Sequence, residues 1–326
     1  MKRMRNFYSI GEVLIDFIPL QKGRALKDVV GFERLPGGAP ANVAVAVARF
    51  GGKAYMITKL GMDAFGDFLL EQLQQAGVNT ETVKRTNEAN TGLAFVSLRH
   101  DGERDFSFYR NPSADLLLSE KEIEDGWFED GDILHFCSVD LVESPMKKAH
   151  IKAIHLAKEK GSIISFDPNV RIPLWNNPET CRKTILEFVP MAHILKISEE
   201  ELEFITGISN INEAIQSLFT GDVRAIIYTK GAEGVELYLK GEVYQSPGYR
   251  VEVQDTTGAG DAFIGGFLYQ LLEKGVRQET LEKILREHHQ EVLSFANASG
   301  ALTTSGKGAI PSIPTKDEIN CFLQHS

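Results

Sequence analysis

Residues 255–266 read DTTGAGDAFIGG and combine a glycine-rich turn with an acid. Glycine, alanine and glycine at 258–260 come directly before Asp261 and the apolar run Ala262–Leu272, which predicts a buried helix. The free N–H groups at a helix N-terminus attract anions, phosphate above all. A carboxylate beside a bound phosphate would be repelled by it, so an acid at this position needs a reason, and the best one is to take a proton from an attacking hydroxyl group. The segment therefore predicts an anion site with Asp261 as an acid–base group.

Asp261 also has a plainer interpretation, in which it only complements the helix dipole. A simple cap needs a single Ser, Thr or Asp, whereas this stretch supplies Thr256, Thr257 and two glycines before the acid. The combination favours a functional role over a cap.

Two familiar phosphate-binding loops are excluded by spacing. A P-loop requires GxxxxGK[ST], and the nearest match, Gly300 to Lys307, is one residue too long and is followed by Gly308. The dinucleotide pattern GxGxxG fails because Phe263 stands where the third glycine belongs. A phosphate site in this chain must use another loop.

A second glycine-rich segment lies at residues 37–44, which read GGAPANVA. The diglycine Gly37 and Gly38 leads into a predicted helix and lets a ligand approach the backbone. Asn42 falls in the first turn of that helix and offers both a donor and an acceptor, which suits sugar hydroxyls. An ordinary loop-to-helix junction would explain the segment equally well.

Charge and composition narrow the class of protein. The chain has 326 residues, of which 43% are hydrophobic, and a formal net charge of −10. It has no basic stripe, so we expect no nucleic-acid partner. Its three cysteines are scattered without CxxC spacing, which is typical of reduced thiols and a cytoplasmic protein. No apolar run is long enough to span a bilayer, so we expect no membrane association.

Strand-like and helix-like segments alternate along most of the chain, which predicts an α/β fold with a mostly parallel sheet and helices on both faces. The predicted strands are Tyr8–Ile15, Lys53–Leu60, Asp132–Phe136, Ser162–Phe166, His193–Ile197 and Arg224–Thr229. The predicted helices are Ala39–Phe50, Phe65–Ala76, Met146–Lys160, Pro178–Val189, Glu199–Thr206, Asn212–Phe219 and Ala262–Leu272.

Two predicted hairpins interrupt this alternation. Leu93–His100 and Asp105–Arg110 flank an Asp-Gly turn at 101–102, a strong hairpin signal. We expect this hairpin to stand off the main sheet as a small flap. Val235–Leu239 and Val243–Gln245 flank a second turn and predict an antiparallel edge.

The two glycine-rich segments together resemble the two signatures of the ribokinase-like (PfkB) carbohydrate kinase family. Gly37–Gly52 resembles GGxxxNxAxxxxRLG, with Phe50 in place of the usual leucine, and Asp255–Gly266 matches DTTGAGDxFxxG without a gap. The resemblance covers nearly the entire chain. It implies one ribokinase-like kinase domain over residues 1–326, with a small β-sheet lid from segments at about 17–35 and 91–114. It also implies transfer of the ATP γ-phosphoryl group to a sugar hydroxyl.

The resemblance assigns roles to particular residues. It implies that Asp261 is the catalytic base and that backbone N–H groups of the 258–260 turn hold the transferring phosphoryl group. The turn residues are Gly258, Ala259 and Gly260; the implied sugar-binding residues are Asp16, Gly37, Gly38 and Asn42; the implied nucleotide-binding residues are Thr229, Gly231, Gly234 and Asn297.

The family also implies metal sites. Its NxxE motif, which organises Mg²⁺ through water, is matched by Ser198 to Glu201, with serine in place of asparagine. The same stretch would serve equally as a capped helix start. Asp255 and Thr257 match positions that bind a monovalent cation such as K⁺ in several relatives, together with carbonyl groups of segment 305–309. The implied cofactors are therefore ATP and Mg²⁺, with K⁺ as an option.

Two further segments bear on the choice of sugar. Residues 108–115, FYRNPSAD, resemble the fructokinase branch of the family, and residues 167–175 resemble both fructokinases and 2-keto-3-deoxygluconate kinases. These segments add Tyr109, Arg110 and Asn169 as substrate-binding residues and Arg171 as a catalytic one. Arg110 and Arg171 are the expected positive groups for a phosphoryl group or an acid sugar.

We therefore expect a fructokinase. A 2-keto-3-deoxygluconate kinase or another sugar kinase of the family is the alternative, and a catalytically silent sugar- or nucleotide-binding regulator is the alternative from a different class. A homodimer is expected by analogy with relatives in which the flap pairs between subunits.

Overall fold

The computed structural model describes residues 5–21, 23–98 and 104–325. The strands within these residues are β1 (Asn6–Ile10), β2 (Leu14–Pro19), β3 (Phe32–Gly37), β4 (Lys53–Gly61), β5 (Val83–Thr86), β6 (Leu93–Leu98), β7 (Arg104–Tyr109), β8 (Ile133–Cys137), β9 (Ile163–Asp167), β10 (Ile194–Ser198), β11 (Ala225–Thr229), β12 (Gly234–Leu239) and β13 (Glu242–Pro247). The helices are α1 (Ala39–Arg49), α2 (Ala64–Gln75), α3 (Pro145–Glu159), α4 (Pro178–Phe188), α5 (Glu199–Thr206), α6 (Ile211–Ser217), α7 (Ala259–Glu273), α8 (Leu281–Thr303), α9 (Ala309–Ser312) and α10 (Lys316–His325).

A nine-stranded sheet forms the centre of the molecule, in the order β13-β12-β11-β10-β9-β8-β1-β4-β5. Neighbouring strands from β11 through to β5 are parallel. The strands β12 and β13 add an antiparallel edge, as the second predicted hairpin indicated. Because parallel strands end at a common edge, the loops after β9, β10 and β11 lie side by side.

The predicted strand Tyr8–Ile15 is wrong as a single element. The chain leaves the large sheet after Ile10 and enters a different sheet at Leu14. Gly11 makes this break with a φ of 151°, and a Cβ at this position would lie 2.4 Å from Cγ of Pro40. Asp16 therefore lies inside β2, not at the carboxyl end of a strand of the large sheet.

A separate four-stranded sheet has the order β3-β2-β6-β7. Its β6 and β7 pair antiparallel, as the first predicted hairpin requires, although the Asp-Gly turn at 101–102 lies outside the described residues. Strand β2 pairs parallel with β6 and antiparallel with β3. The action of this sheet as a lid stays a prediction.

Helices cover both faces of the large sheet, and each face has its own apolar core. One core includes side chains of α1, α7 and α8, and the other includes side chains of α3, α4 and α6. Consecutive strand residues such as Phe7 and Tyr8 point to opposite cores because side chains alternate along a strand. The predicted α/β class, with a mostly parallel sheet, helices on both faces and a small separate sheet, is confirmed.

The contact between α1 and α7 depends on Gly265. A Cβ at this position would lie 2.6 Å from Cβ of Ala46, inside the contact distance of two carbon atoms. We expect Gly265→Val to lower the free energy of unfolding by about 2 kcal/mol, because the two helices must separate. Urea denaturation measures the change. Gly126→Val is the matched control, since no atom lies within 4 Å of its Cβ position, and a comparable loss there would contradict the packing argument.

Candidate active site

The turn before α7 has the geometry of an anion site. Gly258 is the N-cap of this helix with a φ of 79°, a conformation that favours glycine. A Cβ at Gly258 would also lie 2.5 Å from Cβ of Ala309. Gly258 and Gly260 line a cavity in front of the helix, whereas the N–H of Ala259 donates to the carbonyl of Thr256 at 3.3 Å. Two of the three predicted turn residues thus face open space.

Asp261 lies in the first turn of α7, as predicted, and is buried with 7% of its surface exposed. Two amide groups hold its carboxylate. Nδ2 of Asn42, on α1, donates to Oδ2 at 2.8 Å, and Nδ2 of Asn169, just after β9, donates to Oδ1 at 3.3 Å. The carboxylate is therefore fixed from two directions by side chains that are far apart in sequence.

The same two asparagines keep acceptors for a substrate. Oδ1 of Asn42 and Oδ1 of Asn169 are both buried and have no hydrogen-bond partner among the described residues. Asn169 takes a left-handed conformation with a φ of 44°, which is rare outside glycine and costs about 1 kcal/mol or more. This strained conformation directs an amide at Asp261 and indicates a functional position.

Opposing effects set the pKa of Asp261. Burial raises it, whereas the hydrogen bond from Asn42 and the charges of Lys196 and Arg171 lower it, and the net direction is upward. A base with a raised pKa accepts a proton more readily while remaining ionised above that pKa. Asp261 therefore has the environment of a general base.

A cavity of about 130 Å³ lies between the small sheet and the N-termini of α1 and α7. Its lining includes the predicted residues Asp16, Gly38, Asn42, Asn169, Arg171, Gly258 and Asp261. Gly37 is required beside it, because a Cβ there would lie 2.0 Å from Oδ2 of Asp16. Hydroxyl-binding groups thus converge on a space of the size of a small polar molecule.

Tyr109 does not line this cavity, so its predicted contact with the substrate is wrong. Its side chain is 62% exposed and stacks edge-on against Phe95 on the outer face of the small sheet. Phe108 lines the cavity instead. Successive side chains of a strand point to opposite faces, and the sequence alone did not show which face is inward.

Arg110 is also placed differently from the prediction. Its guanidinium is buried, with 3% of the side chain exposed, and pairs with both Asp115 and Asp140. Two carboxyl groups already neutralise this arginine. The prediction that Arg110 offers a free positive charge to an anionic substrate is therefore wrong.

Lys196, which we did not predict as a site residue, lies beside the anion site. Its Nζ is 2.9 Å from Oδ2 of Asp167 and 3.4 Å from the Cβ position of Gly260. Burial alone would lower its pKa, but Asp167 and Glu201 raise it, so the ammonium group stays charged. The sequence does contain a signal for this site residue, since Lys196 is a charged residue inside the otherwise apolar strand His193–Ile197.

A second cavity, of about 450 Å³, extends from this lysine past the carboxyl ends of β9 and β10. Lys196 and Arg171 are the two cationic residues in its lining. Asn169, Arg171, Gly258 and Asp261 line both cavities. The carboxylate of Asp261 is therefore accessible where a polar molecule and an anion would meet.

Glu201 lies in the lining of the larger cavity and also caps α5. Its Oε2 accepts from the N–H and Oγ of Ser198, both at 2.9 Å, and its Oε1 accepts from the N–H of Val170 at 2.8 Å. Burial acts to raise its pKa, but Lys196 and these hydrogen bonds lower it. An ionised carboxylate whose oxygens are already engaged fits a metal ion through water better than a direct ligand.

Asp255 and Thr257 lie close to segment 305–309, with which the sequence predicts a shared cation site. Oδ1 of Asp255 accepts from the N–H and Oγ1 of Thr257 at 3.0 and 2.6 Å, and Oδ2 accepts from the N–H of Gly308 at 3.0 Å. The structure thus brings the expected segments together. A monovalent cation at this position stays a prediction.

The predicted nucleotide-binding residues lie at the antiparallel edge. Thr229 ends β11 opposite Ser198, which lines the larger cavity, and the loop through Gly231 leads to Gly234 at the start of β12. Nδ2 of Asn297 donates to the carbonyl groups of Ser246 and Pro247. Asn297 therefore fixes the end of β13, and its contact with a nucleotide stays a prediction.

Fold and site together define a class of enzyme. A buried carboxylate, a glycine turn at a helix N-terminus and a charged lysine at the carboxyl edge of a parallel sheet are groups of the kind that phosphoryl transfer to a hydroxyl needs. Residues 4–316 match the family described as pfkB family carbohydrate kinase. The chain belongs to this family and is a phosphotransferase with an alcohol group as acceptor, as the sequence predicted.

Individual relatives agree with this assignment. The chain is 43% identical over 317 residues to probable fructokinase-4 of Arabidopsis thaliana, covering 97% of this chain and 96% of that protein. It resembles the crystal structure of fructokinase with bound ATP from Xylella fastidiosa, with a TM-score of 0.91, 37% identity and 99% coverage of both chains. It also resembles fructokinase from Vibrio cholerae O395 bound to fructose, ADP and calcium, with a TM-score of 0.87, 34% identity and coverage of 98% and 99%.

The buried ion pairs of Arg110 predict a structural role that can be measured. We expect Arg110→Met to lower the free energy of unfolding by about 3–5 kcal/mol, because Asp115 and Asp140 lose their counter-charge inside the protein. Arg286→Met is the control. Arg286 also pairs with two carboxylates, Glu242 and Glu282, but is 39% exposed, so we expect a loss of less than about 1 kcal/mol. Equal losses in urea denaturation would contradict this role.

Proposed function

We propose that this kinase transfers the γ-phosphoryl group of ATP to a hydroxyl group of fructose. The observation that carries the proposal is the position of Asp261, which lines both the small polar cavity and the larger cavity with cationic residues. Fructose would occupy the smaller cavity and the ATP phosphates the larger one. The identity of the relatives, fructokinases at 43–44%, supports fructose as the sugar.

The proposed reaction begins with the sugar hydroxyl beside Asp261. The hydroxyl oxygen attacks the γ-phosphorus while its proton passes to the carboxylate of Asp261. A new oxygen–phosphorus bond forms, and the bond from the γ-phosphorus to the bridging oxygen of ADP breaks. Asn42 and Asn169 keep the carboxylate aimed at the hydroxyl, so that little reorientation is needed during the transfer.

The negative charge of the transferring phosphoryl group is stabilised by groups on the other side of Asp261. The turn at Gly258 and Gly260 presents backbone N–H groups at the positive end of α7. Lys196 and Arg171 add two cations to the same cavity. Groups fixed in advance where charge develops are the largest single contribution to most enzymatic rate enhancements.

The divalent ion in this proposal is Mg²⁺, bound with ATP. Among the described residues no group of three His, Cys, Asp or Glu side chains is arranged as a metal site. This fits an ion carried mainly by phosphates, with Glu201 holding one of its waters. When bound, Mg²⁺ neutralises phosphate charge.

Three further properties, namely location, oligomeric state and activation by K⁺, complete the proposal. No helix of the described residues is long and apolar enough to cross a membrane. A cytoplasmic location and a homodimer stay predictions, as does activation by K⁺.

A substrate panel tests the proposal. It compares kcat/KM for fructose, ribose, 2-keto-3-deoxygluconate and an aminated fructose derivative at saturating MgATP. We expect fructose to have the highest value. Arg110 is neutralised by Asp115 and Asp140 and so offers no free charge to the carboxylate of a keto acid, which leaves Arg171 as the cationic residue in the lining of the smaller cavity. Turnover highest with the keto acid would establish the alternative kinase, and absence of turnover with every sugar would establish a silent binding protein.

Removal of the base is the first test of the mechanism. We expect Asp261→Asn to lower kcat by about a thousandfold, because Asp261 is the carboxyl group that lines both cavities among the described residues. Stability should change little, since burial already disfavours the charged form of this carboxyl. Coupled-assay kinetics and thermal unfolding measure the two effects. Asp317→Asn, an exposed first-turn acid of α10, is the control, and near-normal turnover of Asp261→Asn would refute the assignment.

Removal of Lys196 should affect both the rate and its pH dependence. We expect Lys196→Met to lower kcat by about a hundredfold or more, as loss of a charge that stabilises the transition state does. Lys196 also lowers the pKa of Asp261. Because the reaction needs ionised Asp261, the acid limb of kcat/KM should move to higher pH in the variant.

A double variant separates catalysis from folding in this test. Lys196→Met leaves Asp167 buried without its cation, which destabilises the protein. Lys196→Met/Asp167→Asn removes both charges and should regain stability while kcat stays low. Recovery of kcat together with stability would show that Lys196 is only structural. Lys283→Met, at a lysine side chain that is 72% exposed, is the control.

A further inference from the structure

Glu12 lines the smaller cavity and has one carboxyl oxygen that accepts a hydrogen bond and one that has no partner among the described residues. Glu12 follows β1, is 3% exposed and belongs to the cavity lining with Asp16 and Asn42. Its Oε1 accepts a hydrogen bond from the N–H of Ala39 at 3.0 Å, at the start of α1. Its Oε2 is buried and has no hydrogen-bond partner among the described residues.

The nearby ion pairs do not account for this oxygen. Arg110 lies close enough to Glu12 to interact electrostatically, but its Nη2 donates to Asp115 and Asp140, and its buried Nε makes no hydrogen bond to Glu12. A carboxyl oxygen buried without a partner costs about 1–3 kcal/mol. Such an atom on a cavity wall indicates that a ligand completes its hydrogen bonding.

We propose that Glu12 is a sugar-binding residue, whose Oε2 makes a hydrogen bond with one hydroxyl oxygen of the bound sugar. This inference rests on the proposed function of the smaller cavity as the fructose site. Glu12 then shares the cavity with Asn42, which also holds the carboxylate of Asp261, and with Asp16 of the small sheet.

The surroundings decide which partner donates. Burial, and next the charge of Asp140, raise the pKa of Glu12, whereas the charge of Arg110 lowers it; the net direction is upward and favours the protonated carboxyl group. Because Oε1 accepts from the N–H of Ala39, a proton on this carboxyl group belongs on Oε2. Glu12 thus donates to the sugar, whereas Oδ1 of Asn42 and Oδ1 of Asn169 accept from it.

Two variants at this position separate the contact from packing. In Glu12→Gln the amide oxygen can accept from Ala39, which places the amide N–H groups where Oε2–H stood. We expect Glu12→Gln to keep KM for fructose within about twofold of the wild-type value. Glu12→Ala removes the donor, and we expect KM for fructose to rise about tenfold with kcat nearly unchanged, as for loss of a uniform binding contact.

Monodeoxy fructose analogues identify the contact itself. The analogue that lacks the partner hydroxyl should lose about tenfold in kcat/KM with the wild-type enzyme and no further with Glu12→Ala, because the contact is already absent. The other analogues should lose the same factor with both enzymes. A purely structural role of Glu12 would instead weaken every analogue equally.

Several results would overturn the inference. One is a KM for fructose of Glu12→Ala within twofold of the wild-type value. Another is that every deoxy analogue loses the same factor in kcat/KM with Glu12→Ala as with the wild-type enzyme. The third is that Glu12→Gln loses as much affinity as Glu12→Ala. The ATP-induced rise in thermal unfolding temperature, measured for each variant, shows that the nucleotide site is still folded. Glu88→Gln, at an exposed glutamate, is the control.

The same experiment distinguishes failure of the Glu12 contact from failure of the proposed function. If the wild-type enzyme does not phosphorylate fructose, the proposed function fails. If the wild-type enzyme phosphorylates fructose and the two Glu12 variants behave alike, the role of Glu12 alone fails.

Discussion

The clamp on Asp261 by two asparagine amides is the constraint on which the rest of the site depends. Asn42 comes from the first turn of α1 and Asn169 from the loop after β9, so the hydrogen bonds tie three separate parts of the chain to one carboxylate. Each part must therefore arrive at the same edge of the large sheet to within a few tenths of an ångström. The close packing of α1 against α7 at Gly265 and the left-handed turn at Gly258 serve this requirement. A base that is held in place before the substrate binds loses little free energy to reorientation during the reaction.

Local signals in the sequence were sufficient for the centre of the site. The glycine turn before Asp261 and the diglycine before Asn42 specify backbone conformations within a few residues, and the alternation of apolar strands and helices specifies a parallel sheet. Because parallel strands share a carboxyl edge, these local features were enough to bring the two segments together. The proximity of Asp261, the glycine turn and the amide of Asn42 was therefore predictable from the sequence, whereas their roles in the reaction stay predictions.

Long-range pairing was not predictable in the same way. The break at Gly11 depends on contact with Pro40, and the burial of Arg110 depends on Asp140, thirty positions away in the chain. Phe108, and not Tyr109, lines the cavity, and this depends on which face of the small sheet is turned towards the large one. Strand β3 and helix α10 were not predicted, because their apolar residues show no strong periodic pattern. These residues are positioned by packing against other elements, which the local sequence does not show. Lys196 was visible as a charge inside an apolar strand, and that kind of conflict between burial and charge is the signal to seek in similar chains.

The distribution of charge around Asp261 explains how an acidic protein can bind a nucleotide and a neutral sugar side by side. Lys196 lines only the larger cavity, with Glu200 and Glu201, and the carboxyl groups of Glu12 and Asp16 line only the smaller one, whereas Arg171 and Asp261 line both. The ammonium group of Lys196 beside the glycine turn favours polyphosphate on the side of the larger cavity, and the carboxyl groups and the amide of Asn42 favour hydroxyl groups on the other. Arg110, the remaining arginine near the smaller cavity, is neutralised by two carboxyl groups, so it does not reverse this polarity.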